Sequence, residues 1–120
     1  MAFSFEKLDI WYKSKELVKD VYGIIDELPT SEKNSLKDQL RRSIISVPSN
    51  IAEGYGRIFP KEIVHFLSIA RGSAYEVDTQ LVLAEELGFF EGTDLEETFE
   101  LISEVSKLIS ALIDKESSRE

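Results

Sequence analysis

Residues 36–56, which read LKDQLRRSIISVPSNIAEGYG, decide the fold of this chain. Their apolar residues recur every three or four positions, at Leu36, Leu40, Ile44, Val47 and Ile51. This spacing is that of one face of an α-helix, so the stretch predicts an amphipathic helix that ends at its two glycines. Pro48 lies inside the pattern. Because the apolar face continues in phase beyond Pro48, we expect the helix to kink there and not to break.

The same periodicity continues on both sides of this stretch. Across the chain it predicts four helices, at about 6–28, 31–56, 60–88 and 94–115. Helices joined by short loops pack as antiparallel neighbours. We therefore expect residues 1–120 to form a single all-α domain, an antiparallel up-and-down four-helix bundle whose second helix is kinked.

The first predicted helix is more apolar than a helix of one small bundle needs to be. One line of apolar residues follows the helical period: Leu8, Trp11, Val18, Val21, Tyr22, Ile25 and Leu28. A second line recurs at seven-residue spacing: Ile10, Leu17 and Ile24. A lone bundle would expose one of these lines as a large apolar patch, which marks an interaction surface. The pattern therefore predicts that the protein associates with copies of itself.

Composition narrows the classes of function. The 120 residues include 14 basic and 23 acidic side chains, a net charge of −9, with a single histidine and no cysteine. Without cysteine there are no disulfides, thiolate zinc sites or cysteine nucleophiles. No apolar run approaches the roughly 18 residues that span a membrane, and the N-terminal residues lack the pattern of a signal peptide. We expect a cytoplasmic protein with no membrane partner.

Few residues in the sequence could carry catalysis or bind a metal. Glu62 and His65 form a Glu-x-x-His motif of the kind found in di-iron bundles, but such a site needs the motif twice. A chain with one histidine cannot supply the second copy. Since no nucleophile–base pair is evident either, we expect no metal, no cofactor and no enzymatic activity.

Polar residues close to the apolar faces of the second and third helices stand out instead. They include Arg41, Arg42, Asn50, Glu53, Arg57, Arg71, Ser73 and Glu76. A polar group this near the core needs a partner, because an unpaired buried one costs about 1–3 kcal/mol. One interpretation is a buried network, with an arginine against Glu53 or Glu76, that sets the register of the helices. The other is a contact surface for a ligand or a nucleic acid.

Charge is distributed unevenly along the chain. Residues 31–72 carry a net charge of +3, whereas residues 73–120 carry −10. The basic side chains of the first segment are Lys33, Lys37, Arg41, Arg42, Arg57, Lys61 and Arg71. Gathered on one surface, they would attract phosphates, which makes binding of RNA or DNA an alternative function.

Three segments resemble those of a known family: DQLRRS at 38–43, SVPSNIAEGYGR at 46–57 and FLSIARGSAYE at 66–76. The chain is similar to the four-helix-bundle proteins encoded in intervening sequences of bacterial 23S ribosomal RNA genes. It is also similar to the accessory variability proteins of diversity-generating retroelements. The positions characteristic of the family are Arg41, Arg42, Asn50, Glu53, Gly54, Gly56, Arg57, Gly72, Ser73 and Glu76.

The resemblance implies a barrel-like homopentamer of four-helix bundles. The small residues Gly72 and Ser73, together with the arginines, are our candidates for a subunit contact. We therefore expect a non-catalytic protein that assembles with copies of itself, with five as the expected number. The alternative is a nucleic-acid-associated accessory factor, since the retroelement relatives contact nucleic acid and partner a reverse transcriptase. Such a factor would bind RNA, DNA or a nucleic-acid-processing protein through the basic segment of residues 31–72.

Overall fold

Four helices make up the structure, a computed structural model that describes residues 8–32 and 34–119. They are α1 (Asp9–Ile25), α2 (Leu36–Tyr55), α3 (Pro60–Glu86) and α4 (Glu96–Ser117). A short 3-10 turn, Thr30–Glu32, precedes α2, and the described residues contain no strand. None of the helices described is long and apolar enough to cross a membrane. The predicted all-α class is confirmed.

The helices follow the predicted order, with one clear difference in where they begin. The predicted start of the first helix, at residue 6, lies outside the described residues. The second helix begins at Leu36 and not at residue 31. The chain first closes its 3-10 turn, in which the N–H of Glu32 donates to the carbonyl of Pro29 (2.9 Å). In this turn the N–H of Glu32 and the carbonyl of Pro29 bond to each other, so they do not take part in the first turn of α2.

The helix α2 runs unbroken through Pro48. The side chain of Pro48 is half-buried, while Ile44 and Ile51 on either side of it are fully buried. The apolar face therefore continues in phase across the proline. The kink at this position stays a prediction.

Each helix packs against two others. The contacts join α1 to α2 and α4, and join α3 to the same two helices, so that α1 and α3 lie diagonally across the bundle. The core consists of buried aliphatic side chains from all four helices. Its largest fully buried members are Leu17, Ile25, Leu40, Ile44, Ile51, Leu67, Leu81 and Ile109. Four helices around one core match the predicted bundle, and the antiparallel up-and-down order stays a prediction.

The position of α1 decides which of its apolar lines faces the core. The whole second line is buried: Ile10, Leu17 and Ile24. The first line divides, since Val21 and Ile25 are buried while Tyr22 is 39% exposed. Part of the apolar patch expected on this helix therefore lies on the surface of the bundle.

The end of α2 meets the beginning of α3 at Gly54. A Cβ atom placed on Gly54 would lie 3.1 Å from the Cβ of Phe66 and 3.3 Å from the carbonyl oxygen of Ile63. These distances are shorter than ordinary van der Waals contacts, and a carbonyl held within a helix moves aside only with its backbone. The absence of a side chain on Gly54 therefore sets how closely the two helices pack.

We predict that Gly54→Leu lowers the free energy of unfolding by about 1–3 kcal/mol, because the added side chain overpacks the contact between α2 and α3. Urea unfolding followed by circular dichroism measures the change. Ser49→Leu is the control, because Ser49 is exposed on the same helix and its substitution should cost less than about 0.5 kcal/mol. Equal effects of the two substitutions would show that Gly54 does not limit the packing.

Candidate functional site

A row of polar side chains follows the contact between α2 and α3. Its pairs are Gln39 with Gln80 (3.5 Å), Ser43 with Glu76 (3.3 Å) and Ser46 with Ser73 (2.8 Å). The residue number rises along α2 as the partner's number falls along α3. Pairs at several points along two helices hold them in one register.

Ser46 is the centre of this row. Its hydroxyl oxygen accepts hydrogen bonds from the hydroxyl of Ser73 (2.8 Å) and from the side-chain amide of Asn50 (2.9 Å). The same amide also donates to the carbonyl of Ser46 (2.8 Å). Ser73 is buried, whereas Ser46 and Asn50 are half-buried. The network therefore lies at the edge of the core and opens towards the surface.

The expected buried pair of an arginine with Glu53 or Glu76 is not what the described residues form. Arg57 does pair with Glu53 (2.6 Å), but along the surface of α2 and with both side chains exposed. Arg42 pairs in the same way with Asp38 (3.1 Å). Side chains four residues apart on a helix can pair while both remain exposed to solvent. Such exposed pairs stabilise the folded chain by about 0–1 kcal/mol. The polar network between α2 and α3 is therefore formed without an arginine from these pairs, which lie on the surface.

The basic side chains of residues 31–72 lie at separate places. Those that are described form three groups: Lys37, Arg41 and Arg42; Arg57 and Lys61; and Arg71. The first group lies near the beginning of α2 and the second beyond its end, roughly 22–30 Å away at 1.5 Å per helical residue. The third, Arg71, donates to the hydroxyl of Ser110 on α4 (3.1 Å). Lys33 lies outside the described residues. Within one copy, the described cations are not brought together into a single basic surface.

Several of the positions characteristic of the resembled family lie on the outer side of the contact between α2 and α3. Residues 69, 72, 76 and 83 share one side of α3 by their helical spacing, and the pairing of Ser43 with Glu76 turns that side towards α2. Ile69 is 39% and Leu83 49% exposed there. We call this surface the α2–α3 face and define it as Asn50, Glu53, Ile69, Gly72, Glu76 and Leu83. Its mixture of polar and exposed apolar groups is typical of protein interfaces.

The remaining characteristic positions have other roles. Gly54 lies in the helix contact and Ser73 in the polar row. Gly56 follows the last residue of α2, and its N–H donates to the carbonyl of Ala52 (3.1 Å). Arg41 is half-buried on the opposite flank of α2 by its helical position. The structure therefore distributes the family positions between packing and surface.

Gly72 has no packing role within the described chain. It is exposed inside the 27-residue helix α3, and beyond its own turn no described atom lies within 4 Å of a Cβ placed on it. A glycine inside a helix is destabilising by about 0.5–1 kcal/mol relative to alanine. Gly72 thus costs stability without any contact that would require it, in contrast to Gly54.

A separate polar cluster lies where α2 and α4 end. The carboxylate of Glu116 is buried and forms a salt bridge with Arg119. Burial raises the pKa of the half-buried Tyr55 to about 12, and the negative charge of Glu116 adds to the effect. The neutral form of Tyr55 is therefore the one that the fold favours.

The Glu-x-x-His motif lies on the first turns of α3. Glu62 and His65 are both exposed, and the His65 ring meets the edge of Phe66 with 5.2 Å between ring centroids. Among the described residues, no three histidine or acidic side chains come together as a group that could hold a metal ion. The expectation of a chain without metal, cofactor or catalysis stays a prediction.

Sequence reasoning missed five residues of the site: Gln39, Ser43, Ser46, Ile69 and Leu83. The two serines share their helical side with Asn50, at i, i+3 and i+7, and this spacing was the available signal. The two apolar residues lie beside the core stripe of α3 and not on it, so that periodicity alone does not separate them from ordinary exposed residues.

We predict that Ser46→Ala lowers the free energy of unfolding by about 1–2 kcal/mol, because it leaves the buried hydroxyl of Ser73 without its acceptor. Urea unfolding of Ser46→Ala, Ser73→Ala and the double variant measures the interaction free energy between the two serines. The double variant should cost less than the sum of the single ones, since both remove the same hydrogen bond. Ser49→Ala should leave stability unchanged. Additive effects at 46 and 73 would contradict a shared bond.

We also predict that Tyr55 contributes to loss of stability in alkali. From about pH 10 to about pH 12 the unfolded chain releases the Tyr55 proton while the folded chain keeps it, so stability falls as the pH rises. In Tyr55→Phe this part of the decline should disappear, which urea unfolding across that range measures. Tyr75→Phe, a substitution at an exposed tyrosine, should keep the decline of the native chain. An unchanged decline in Tyr55→Phe would refute the assignment.

Comparison with known proteins gives a family match over most of the chain. The family model for 23S rRNA-intervening sequence protein matches residues 6–111. The matched region includes α1, α2, α3 and most of α4, and thus the complete α2–α3 face. No curated protein matches the chain. Because the match covers far more than half of its length, the chain belongs to the 23S rRNA-intervening sequence protein family.

Proposed function

We propose that this protein is a non-catalytic, cytoplasmic assembly protein whose copies associate through the α2–α3 face. A homopentamer is the expected assembly, as the resemblance to the family implies. The observation that carries the proposal is Gly72, an exposed helical glycine that the described chain leaves without packing neighbours beyond its own turn.

A glycine in the open middle of a long helix is best explained by a contact outside the chain. Glycine allows another backbone to approach closely, because no side chain holds the two apart. A second copy packed over Gly72 would supply the contact that the isolated chain lacks. Selection for that contact would offset the stability that glycine costs the helix.

The surroundings of Gly72 favour burial. Ile69 lies about one turn before it and Leu83 about three turns after it, and both side chains are partly exposed. Covering apolar surface is favourable by roughly 25 cal/mol per Å². In the polar row beside them, Ser46 and Ser73 already share a hydrogen bond within the chain, so that covering this pair leaves their bond intact.

The composition supports a non-catalytic role. The sequence has no cysteine and one histidine. That histidine, His65, is exposed on α3, where its ring contacts Phe66. The nucleic-acid alternative has less support, because the described cations of residues 31–72 lie in three groups and two of them, Arg42 and Arg57, are paired with neighbouring carboxylates. That alternative stays a prediction for the assembled protein.

We predict that the native protein is larger than its chain mass of 13.7 kDa in solution and that Gly72→Gln dissociates it. The added side chain would keep the two copies apart, while glutamine is a better helix former than glycine and should leave the fold intact. Light scattering after gel filtration measures the mass, and circular dichroism confirms the helix content. We expect the dissociation constant to rise at least about tenfold, the effect of a contact worth about 1.4 kcal/mol.

Ala111→Gln is the matched control. Ala111 is exposed on α4, outside the α2–α3 face, so the same side chain placed there should leave the mass unchanged. A native protein that is monomeric at micromolar concentration would refute self-association. An oligomer unaffected by Gly72→Gln would place the contact elsewhere on the bundle.

A further inference from the structure

We infer that the groove between α3 and α4 binds a basic amphipathic helix of a partner protein. We call it the α3–α4 groove and define it by an acidic rim and an apolar lining. The rim consists of Asp78, Glu85, Asp94, Glu96, Glu100 and Asp114, and the lining of Tyr75, Leu95, Phe99 and Ile102. The inference goes beyond self-association, because it concerns another side of α3 and a different kind of partner.

The groove is long enough to hold a helix. Two open cavities of about 610 and 530 Å³ lie between α3 and α4, and they adjoin each other, since Ser103 lines both. On α4 the acidic rim extends from Glu96 to Asp114, which is about 27 Å at 1.5 Å per helical residue. A partner helix of about 18 residues has the same length. A depression between two helices is one of the surfaces to which amphipathic helices bind.

The rim carries negative charge without counter-ions. From residue 72 to residue 106 the sequence contains ten carboxylates and no lysine, arginine or histidine. None of the six rim carboxylates forms an ion pair with a described residue. Two cations lie close by, since Lys107 lines the groove and Arg71 donates to the hydroxyl of Ser110, another lining residue. Six carboxylates against two cations leave the groove acidic, and this favours a basic partner.

Exposed apolar side chains alternate with acidic ones along the groove. On the outer side of α3, Tyr75, Asp78, Val82 and Glu85 follow one another at spacings of three and four residues. Tyr75 is 53% and Val82 38% exposed. This surface complements a helix whose apolar side is flanked by lysines or arginines. The apolar side would cover Tyr75 and Val82, while the long flanking side chains would reach the rim.

Other occupants fit the groove less well. Nucleic acids and anionic membranes carry the same sign of charge as the rim, which repels them. A polyamine would pair with the rim but leave Tyr75 and Val82 uncovered. Among the described residues, no three histidine or acidic side chains form a group that could hold a metal ion. A second copy of this chain is the remaining rival, and the mass of the protein in solution tests it.

Designed peptides test the inference with the native protein. The probe is a peptide of about 18 residues in which leucine follows the helical period and lysine occupies the other positions. One control peptide has glutamate in place of lysine, and the other has serine in place of leucine. Fluorescence anisotropy of the labelled peptides measures the dissociation constants. We expect the probe to bind at least about tenfold more tightly than either control, because charge and apolar contact both contribute.

Neutralising substitutions locate the binding site. The rim variant removes three carboxylates and consists of Asp78→Asn, Glu85→Gln and Glu100→Gln. The matched control removes three exposed carboxylates from α1 and consists of Glu16→Gln, Asp20→Asn and Asp26→Asn. We expect the rim variant to raise the dissociation constant of the probe at least about tenfold, and the control to change it less than about twofold.

A substitution at Tyr75 tests the apolar contact. Tyr75→Ser should raise the dissociation constant of the probe at least about threefold, because it removes an exposed ring from the lining of the groove. Tyr12→Ser is the matched control, since Tyr12 on α1 is 54% exposed, close to the 53% of Tyr75. This control should leave binding of the probe unchanged.

Three results would overturn the inference. Equal weakening by the rim variant and its control would show attraction to the net charge alone. Equal binding of the lysine–serine peptide would show a site for polycations without apolar contact. A rim variant with a lower mass than the native protein in light scattering would assign the groove to a contact between copies. Self-association itself is tested by Gly72→Gln, so failure of that proposal leaves the peptide measurements valid.

Discussion

The contact between α2 and α3 is the constraint on which the other features of this protein depend. At Gly54 the two helices come too close for a side chain, and further along the contact Ser46 and Ser73 share a hydrogen bond. Two such points fix both the distance and the register of the pair. In that register Gly72 and Glu76 face outward. The proposed association surface is therefore a consequence of how two helices pack within one chain.

Two glycines of this helix pair show how one residue type serves opposite purposes. At Gly54 a neighbour within the chain excludes a side chain, so the glycine is explained by the fold. At Gly72 the described chain provides no such neighbour, and the glycine weakens its helix. The resemblance of the sequence to the family implies the same status for both glycines. Only the surroundings show that the first belongs to packing and the second to the surface.

The basic side chains of residues 31–72 also have a different interpretation in the sequence and in the folded chain. The segment of residues 31–72 is basic and the rest of the chain acidic, which favours a local phosphate-binding surface. In the folded chain Arg42 and Arg57 pair with carboxylates four residues away. Such neighbours are always within reach on a helix, whereas an unpaired basic surface requires several elements to present their cations on one side.

Apolar periodicity by itself determined the four helices and most of the core, as at Leu40 and Ile44, because a 3.6-residue repeat is buried only by helices that share a core. It did not reveal that α2 begins after a 3-10 turn, since residues 30–32 suit both structures. Nor did it reveal which apolar line of α1 faces inward. Only the tertiary structure decided that choice, the partners of the arginines and the open surroundings of Gly72. These depend on where neighbouring helices lie, and no local repeat encodes that position.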